Sequence, residues 1–488
     1  MTSTSAVPSP VEADPRRWKA LVVIAIAQLM IVLDASIVNI ALPSIQADLG
    51  ISDADRQWAV TAYTLAFGSL LLLGGRIADY AGRKRVFIIG LIGFALASAL
   101  GGLAATSTML FAARGLQGVF AALLAPAALS LISVTFTDSK ERAKAFGVYG
   151  ALSGGGAAIG LVLGGVLTEY FSWHWCFLVN VPIAVLAIFL AIPNVRESRA
   201  TGNTKYDVPG AITATVGLFC LVFGITKAES DGWNGTSTVT FLAISVVLLF
   251  VFLFIEYKSS HPLLPLKIVL ERNRGGAYLS SFFVGVGLFS MFLFISYFFQ
   301  AVLQYSPLTS GLLFLPFSAG VVISAGIASQ LLPRFGPRWV TFTGFVMAVI
   351  GMSLYIRLSP ESTYVSGVLP SIILMSLGMG LIFVPLSATA LYGVSDHDTG
   401  VASAVLNTAQ QIGGSIGIAF LNTIAASATA AFVVANNLQQ PNADALVEGF
   451  TTTFAWSTAI LAFAGIIWVV LVRISKKDLS KNDVAAQF

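Results

Sequence analysis

The chain has 488 residues, of which 56% are hydrophobic and only 10% charged, with 27 Lys and Arg against 23 Asp and Glu. A soluble domain carries about 25% charged residues, so an ordinary globular enzyme is excluded. The basic excess is read as contact with anionic lipid headgroups and as topology, and no nucleic-acid binding is expected.

Residues 1–18 are polar, and the apolar run after them is longer than a signal-peptide core and lacks a small-x-small cleavage site, so it is retained as a first span. Segments long enough to cross a bilayer, which takes about 20 residues, then recur fourteen times. They lie near 20–42, 58–75, 86–104, 109–133, 145–167, 175–192, 208–226, 237–255, 277–302, 310–331, 340–356, 368–390, 401–430 and 452–472. Of the 27 basic residues, 23 fall in alternate connections or in the two tails, Arg114 lies inside a span, and only Arg56, Lys227 and Arg357 fall in the other connections. By the positive-inside rule both termini face the cytoplasm.

The two ends of the chain repeat each other. Gly82, Lys84 and Gly90 fall on Gly336, Arg338 and Gly344 at an offset of 254, Pro126 on Pro385 at 259, and Gly156 and Gly160 on Gly413 and Gly417 at 257. Spans 1–6 therefore correspond to spans 9–14, and spans 7 and 8 form an inserted hairpin. The expected organisation is a cytoplasmic tail (1–18), an N-terminal six-helix half (19–192), a cytoplasmic linker (193–207), a transmembrane hairpin (208–255), a second linker (256–276), a C-terminal six-helix half (277–474) and a tail (475–488). Two such halves are a transporter arrangement, with the substrate site between them near mid-bilayer.

Asp34 is the only carboxylate deep in a span and Arg114 the only deep base. An Asp at the bilayer centre costs about 2.5–3.5 kcal/mol on insertion scales, so it faces a polar interior. By helical rise, Asp34 lies roughly 13 Å from the outer end of span 1 and Arg114 roughly 8 Å from that of span 4, close enough in depth to pair. Such a pair either fixes helix register or titrates, because dehydration and a fixed cation act on the carboxyl in opposite senses.

In the connection between spans 2 and 3, Gly75, Asp79, Gly82, Arg83 and Lys84 form a Gly-bounded turn. Asp79 is placed to pair with Arg83 or to cap the next helix, as a cytoplasmic gate or as a topology anchor. Span 5 carries Gly150, Gly154, Gly156, Gly160 and Gly164, a stripe that admits a close backbone neighbour and is read as a rocking-helix interface. The aromatic run 282–299 is expected to face lipid for the most part, with Phe289, Phe292 and Tyr297 as candidates for a substrate cavity together with Gln117, Asn407, Gln410 and Gln411. Trp173, Trp175 and Trp339 read as interfacial belt residues. Cys176 and Cys220 sit in or beside spans, and His174, His261 and His397 lack metal-ligand spacing. With no Walker loop, zinc motif or Ser–His–Asp set, no enzyme activity, metal or cofactor is expected.

At these residues the chain resembles the 14-span drug:proton antiporter family of the major facilitator superfamily over nearly its whole length. The motifs are LDASIVNIALPSI (33–45), GRIADYAGRKR (75–85), RGLQG (114–118), FLVNVPI (177–183) and YFFQAVLQYSPLTSGLLFLP (297–316). The chain departs from the pattern at Gly160-Leu161, where the family's span-5 motif has Gly-Pro, and at Tyr80 and Gln410, where relatives often carry Arg. The resemblance implies an all-α polytopic protein of the bacterial cytoplasmic membrane with the major facilitator fold, acting as a monomer. It implies export of small amphipathic drugs, antibiotics or dyes by alternating access, driven by the proton motive force. Asp34 and Arg114 would handle the proton. The rivals are a dedicated exporter of one metabolite (a self-made antibiotic, siderophore or amino acid) and, in another class, a channel or membrane receptor.

Overall fold

The computed structural model describes residues 15–474 apart from 53–54, 57, 137, 200–206, 260–261, 263 and 395–398. Residues 1–14 of the N-terminal tail, the whole C-terminal tail and residues 200–206 of the 193–207 linker therefore lie outside the described residues. The described residues are mostly helix, with no strand among them. The long helices begin with α1 (Arg17–Leu49), α2 (Trp58–Ala81), α3 (Arg83–Gly102), α4 (Ser107–Thr135) and α5 (Ser139–Tyr170). A stretch interrupted at Val179 follows, α6 (Trp175–Leu178) and α7 (Asn180–Asn194), and then the hairpin α8 (Val208–Asp231) and α9 (Thr236–Lys258). After the short α10 (Leu266–Val269) come α11 (Arg272–Tyr297), α12 (Pro307–Leu313), α13 (Leu315–Leu354), α14 (Leu369–Ala390), α15 (Thr399–Ala435) and α16 (Ala443–Leu471).

Among the described residues, eleven helices are long and apolar enough to cross a membrane, twelve if the two parts of α2 are taken as one crossing. The protein is thus a multi-pass membrane protein. One of the eleven, Pro307–Arg357, has 51 residues. At 1.5 Å per residue it would run about 76 Å, over twice a hydrocarbon core of about 30 Å. It is broken at Gly336, whose φ of 76° and ψ of 163° leave the helical region just before Pro337. Gly82, its partner in the sequence repeat, has φ 111° and separates α2 from α3. Glycine is needed at both, since a side chain is strained at positive φ. Some helix N-termini are closed by side chains: Thr106 accepts from the Met109 N–H, Asp207 from Gly210 and Asn442 from Ala445.

Within 17–194, α1 packs on α5, α2 and α3 on α4, and α7 on α1 and α3. Within 272–471, α11 packs on α15 and α16, and α13 on α14 and α16. The hairpin helix α8 lies against both α2 and α15. The aromatic run of α11 corrects the lipid-facing expectation: Phe294, Phe298 and Phe299 are fully buried and Tyr297 nearly so, while Phe282, Phe283, Phe289 and Phe292 are half-buried. The helix is surrounded by α1, α14, α15 and α16, and Phe294 rests on Phe450 and Phe454 while Phe292 rests on Phe314 and Phe317. Trp173 is likewise no belt residue, being buried with its indole N–H on Asp48 Oδ2 at 2.9 Å, whereas Trp175 and Trp339 are exposed.

Candidate functional site: a buried charge pair and the contacts around it

Asp34 sits midway along α1 and Arg114 two turns into α4, and the packing of both helices brings them together with no solvent exposure of Asp34 and 1% of Arg114. Arg114 Nη1 donates to Asp34 Oδ2 at 2.6 Å and to Gln117 Oε1 at 2.9 Å, and its Nε donates to the Ala59 carbonyl at 2.8 Å. Asp34 Oδ1 accepts from Gln117 Nε2 at 2.8 Å and from Asn180 Nδ2 at 2.9 Å. Ser98 Oγ accepts from the same two amides, at 2.7 and 3.4 Å. The guanidinium also stacks over the Tyr63 ring, 4.4 Å from its centroid. A carboxylate out of water is tolerated only with a counter-charge and hydrogen bonds on both oxygens, and this one has both. Five helices converge on it: α1, α2, α3, α4 and α7.

Gln117, expected in a substrate cavity, belongs to this cluster instead and is fully buried. Ser98, Asn180 and Tyr63 were not singled out from the sequence as site residues. Asn180 carried a signal, since it lies within the FLVNVPI motif; Ser98 and Tyr63 look like any uncharged polar residue in a span.

At the Gly82 turn, Asp79 Oδ1 accepts from Arg83 Nε at 3.0 Å and from Nη2 at 2.8 Å. Of the two roles open to Asp79 it takes the ion pair. The cap on α3 comes from Glu197, which accepts from the Lys84 and Arg85 N–H groups, both at 3.1 Å. Lys84 Nζ donates to the Ile192 carbonyl at 2.7 Å, and Gly75 lies against Pro126 of α4. This turn is therefore fastened to the end of α7.

The α5 glycines divide. Gly156 faces Leu29 and Val32, Gly160 faces Leu33 and Ser36, and Gly164 faces Ile37, all on α1. Gly150 and Gly154 fall outside the residues whose surroundings are described. A close crossing between 17–194 and 272–471 is made by two other glycines: a Cβ on Gly165 would lie 2.6 Å from Leu308 Cα, and one on Gly311 would meet the Leu161 carbonyl. The described glycines of the stripe line a seam within 17–194, whereas Gly165 meets the other region.

Hydrogen bonds between those two regions cluster at the end of the molecule that carries the α1–α2 connection. Ser296 Oγ donates to the Asn39 carbonyl and Gln300 Nε2 to that of Ile40, both at 3.1 Å. Tyr297 Oη donates to Gln46 Oε1 at 3.2 Å, and the Arg56 guanidinium lies 4.1 Å from the Tyr297 ring centroid. The Leu308 N–H donates to Glu169 Oε2 at 3.0 Å. Tyr297 thus takes part in closing this end. Phe289 packs on Gly414, Gln410 and Gln411 are half-buried beside α11 and α2, and Asn407 is exposed.

The family model described as Major Facilitator Superfamily matches residues 24–418. The chain is 47% identical to the puromycin resistance protein pur8 of Streptomyces alboniger, covering 94% of this chain and 92% of that protein. It is 37% identical to the cephamycin export protein CmcT of Amycolatopsis lactamdurans, over 84% and 85%. It is 34% identical to a lincomycin resistance protein of Streptomyces lincolnensis, over 83% of each. Among solved structures, a bacterial homolog of the human lysosomal transporter Spinster, inward-facing and unoccupied, superposes with a TM-score of 0.67 over 96% of this chain and 99% of that chain, at 17% identity. At that identity the likeness establishes the fold.

Proposed function

The chain belongs to the Major Facilitator Superfamily, and from that premise we propose that it exports small amphipathic compounds, antibiotics among them, in exchange for protons. The observation that carries the coupling is the buried Asp34–Arg114 pair: a dehydrated carboxylate whose charge is held by one cation and two amides responds to small changes in that shell. The drug class is supported by relatives at 34–47% identity that are named for antibiotic resistance or export.

On this reading the chain crosses the membrane fourteen times as two six-helix halves and an inserted hairpin, with both termini in the cytoplasm. It acts as a monomer in the bacterial cytoplasmic membrane. The cluster around Arg56 and Tyr297 then closes the outer face, and Asp79, Arg83 and Glu197 brace the inner one.

The test is proton-driven uptake by inverted vesicles of a panel containing puromycin, lincomycin, ethidium and an uncharged dye. Uptake that collapses with the pH gradient and is absent in Asp34→Asn supports the proposal; uptake indifferent to both overturns it. Names tied to single compounds favour a second reading, export of one dedicated antibiotic. Transport of one panel member alone would select it.

A further inference from the structure

The structure assigns to Asn180 a role that no charge pattern indicates: its side-chain amide turns over to follow the protonation state of Asp34. The assignment rests on Asp34 being the proton site. Asn180 is fully buried, and although its Nδ2 donates to Asp34 Oδ1 at 2.9 Å, its Oδ1 has no hydrogen-bond partner. An orphaned buried acceptor is costly, and a site that retains one calls for a physical reason.

Protonation of Asp34 supplies that reason. Asp34 Oδ2 faces Arg114 Nη1 at 2.6 Å, a group that can only donate, so the proton goes to Oδ1. An O–H bond forms there from an aqueous proton and breaks on release; nothing is oxidised or reduced, and Asn180 exchanges only hydrogen bonds. Once protonated, Oδ1 needs an acceptor but faces two NH2 groups, those of Gln117 and Asn180. One amide has to turn. Gln117 is held at both ends, its Oε1 accepting from Arg114 at 2.9 Å and its Nε2 donating to Ser98 at 2.7 Å. Turning it would set NH2 against the guanidinium. Turning costs Asn180 only the long 3.4 Å bond from its Nδ2 to Ser98 Oγ, loses nothing at its Oδ1 and offers that oxygen to the new O–H. One amide atom is unpaired in either orientation, so the charge on Asp34 decides between them. The titratable neighbours are Arg114 from α4, Tyr63 from α2 and Cys176 from α6, and none of them supplies a free carbonyl acceptor.

The test is infrared difference spectroscopy across a pH titration of the full-length protein in liposomes, with carbonyl-labelled asparagine to identify the amide bands. A carboxylic-acid band that Asp34→Asn lacks identifies Asp34 as titrating. The expected result is a labelled amide carbonyl band that moves to lower frequency in step with it and is lost in Asn180→Leu. If Asn180→Leu does not accumulate, Asn180→Thr, whose hydroxyl serves either state by rotating, should lose the same band. An Asp34 band with no accompanying Asn180 band overturns the amide switch and leaves the proton site standing. Absence of any carboxylic band attributable to Asp34 overturns both.

Discussion

In residues 17–194, Gly160 of α5 brings Leu33 of α1 into close contact; in residues 272–471, the matched Gly417 of α15 does the same for Val286 of α11. The residue after Leu33 is Asp34, bonded to Asn180 of α7. The residue after Val286 is Gly287, where a Cβ would lie 2.9 Å from Leu461 of α16. The same scaffold thus holds an ionised cluster in one region and plain apolar packing in the other. The difference teaches that helix architecture and chemistry are separable here: glycines set the spacing of both regions, and the charged cluster is an addition to one. On the proposed mechanism the two regions would differ in function as they do in chemistry, the one with Asp34 handling the proton and the other supplying an apolar surface against it.

The comparison breaks most sharply at the charge pair. Arg114→Met should leave Asp34 buried without its counter-ion, and removal of one partner of such a pair costs about 3–5 kcal/mol. Loss of folded protein in detergent thermal-shift and size-exclusion measurements is expected, with recovery in the Asp34→Asn/Arg114→Met double variant. Equal instability of the single and double variants would mean that the pair is not coupled.

Glycine substitutions sharpen the contrast between seams. Gly160→Leu overpacks α5 against α1 and should lower thermal stability by about 1–3 kcal/mol. Gly165→Leu overpacks the crossing to Leu308, a contact between the two regions, and should stop transport while leaving thermal stability closer to wild type. Matching profiles for the two variants would erase the distinction between a fixed seam and a moving one.

A smaller effect is expected at the Gly82 turn, where Glu197→Gln weakens the cap on α3 but keeps an acceptor oxygen. A loss of about 0.3–1 kcal/mol, the usual worth of a charge at a helix N-terminus, is expected from thermal unfolding. Asp79→Asn should leave that cap intact and slow turnover instead, as measured by initial rates at matched expression.

The smallest effect lies at the start of α11. Burial pushes the Glu271 carboxyl up, but hydrogen bonds from the Arg274 and Asn273 N–H groups and from the Asn273 side chain, with the Arg274 charge, outweigh it and hold the group below its ordinary value of 4.5. A depressed carboxylate contributes stability that is full above its unfolded pKa and is lost as pH falls through the folded one. Amide exchange of residues 273–275, corrected for its intrinsic pH dependence, should therefore show less protection below about pH 4 than at neutrality. Glu271→Gln should flatten that change.

The apolar helices and the two deep charges were legible because each leaves a mark that one sequence can carry: a long apolar run, a charge where charge is expensive. The orientation of α11 was not, since hydropathy scores Phe294 the same whether it meets lipid or Phe450. Glu197 was passed over for the opposite reason: in a charged connection it reads as solvated, and only the chain's return to the start of α3 makes it a cap. Gly165 was hidden beside Gly164, because adjacent positions on a helix point to different neighbours and sequence spacing alone does not say which neighbour moves.

Ala81 and Arg83 are separated by Gly82 alone, and α13 runs on through Gly336 without a loop. In mechanical terms these are stiff elbows: the helices on either side have no slack with which to slide apart. A chain jointed in this way transmits displacement at one end of a helix pair to its other end with little lost to bending, as a pair of levers does.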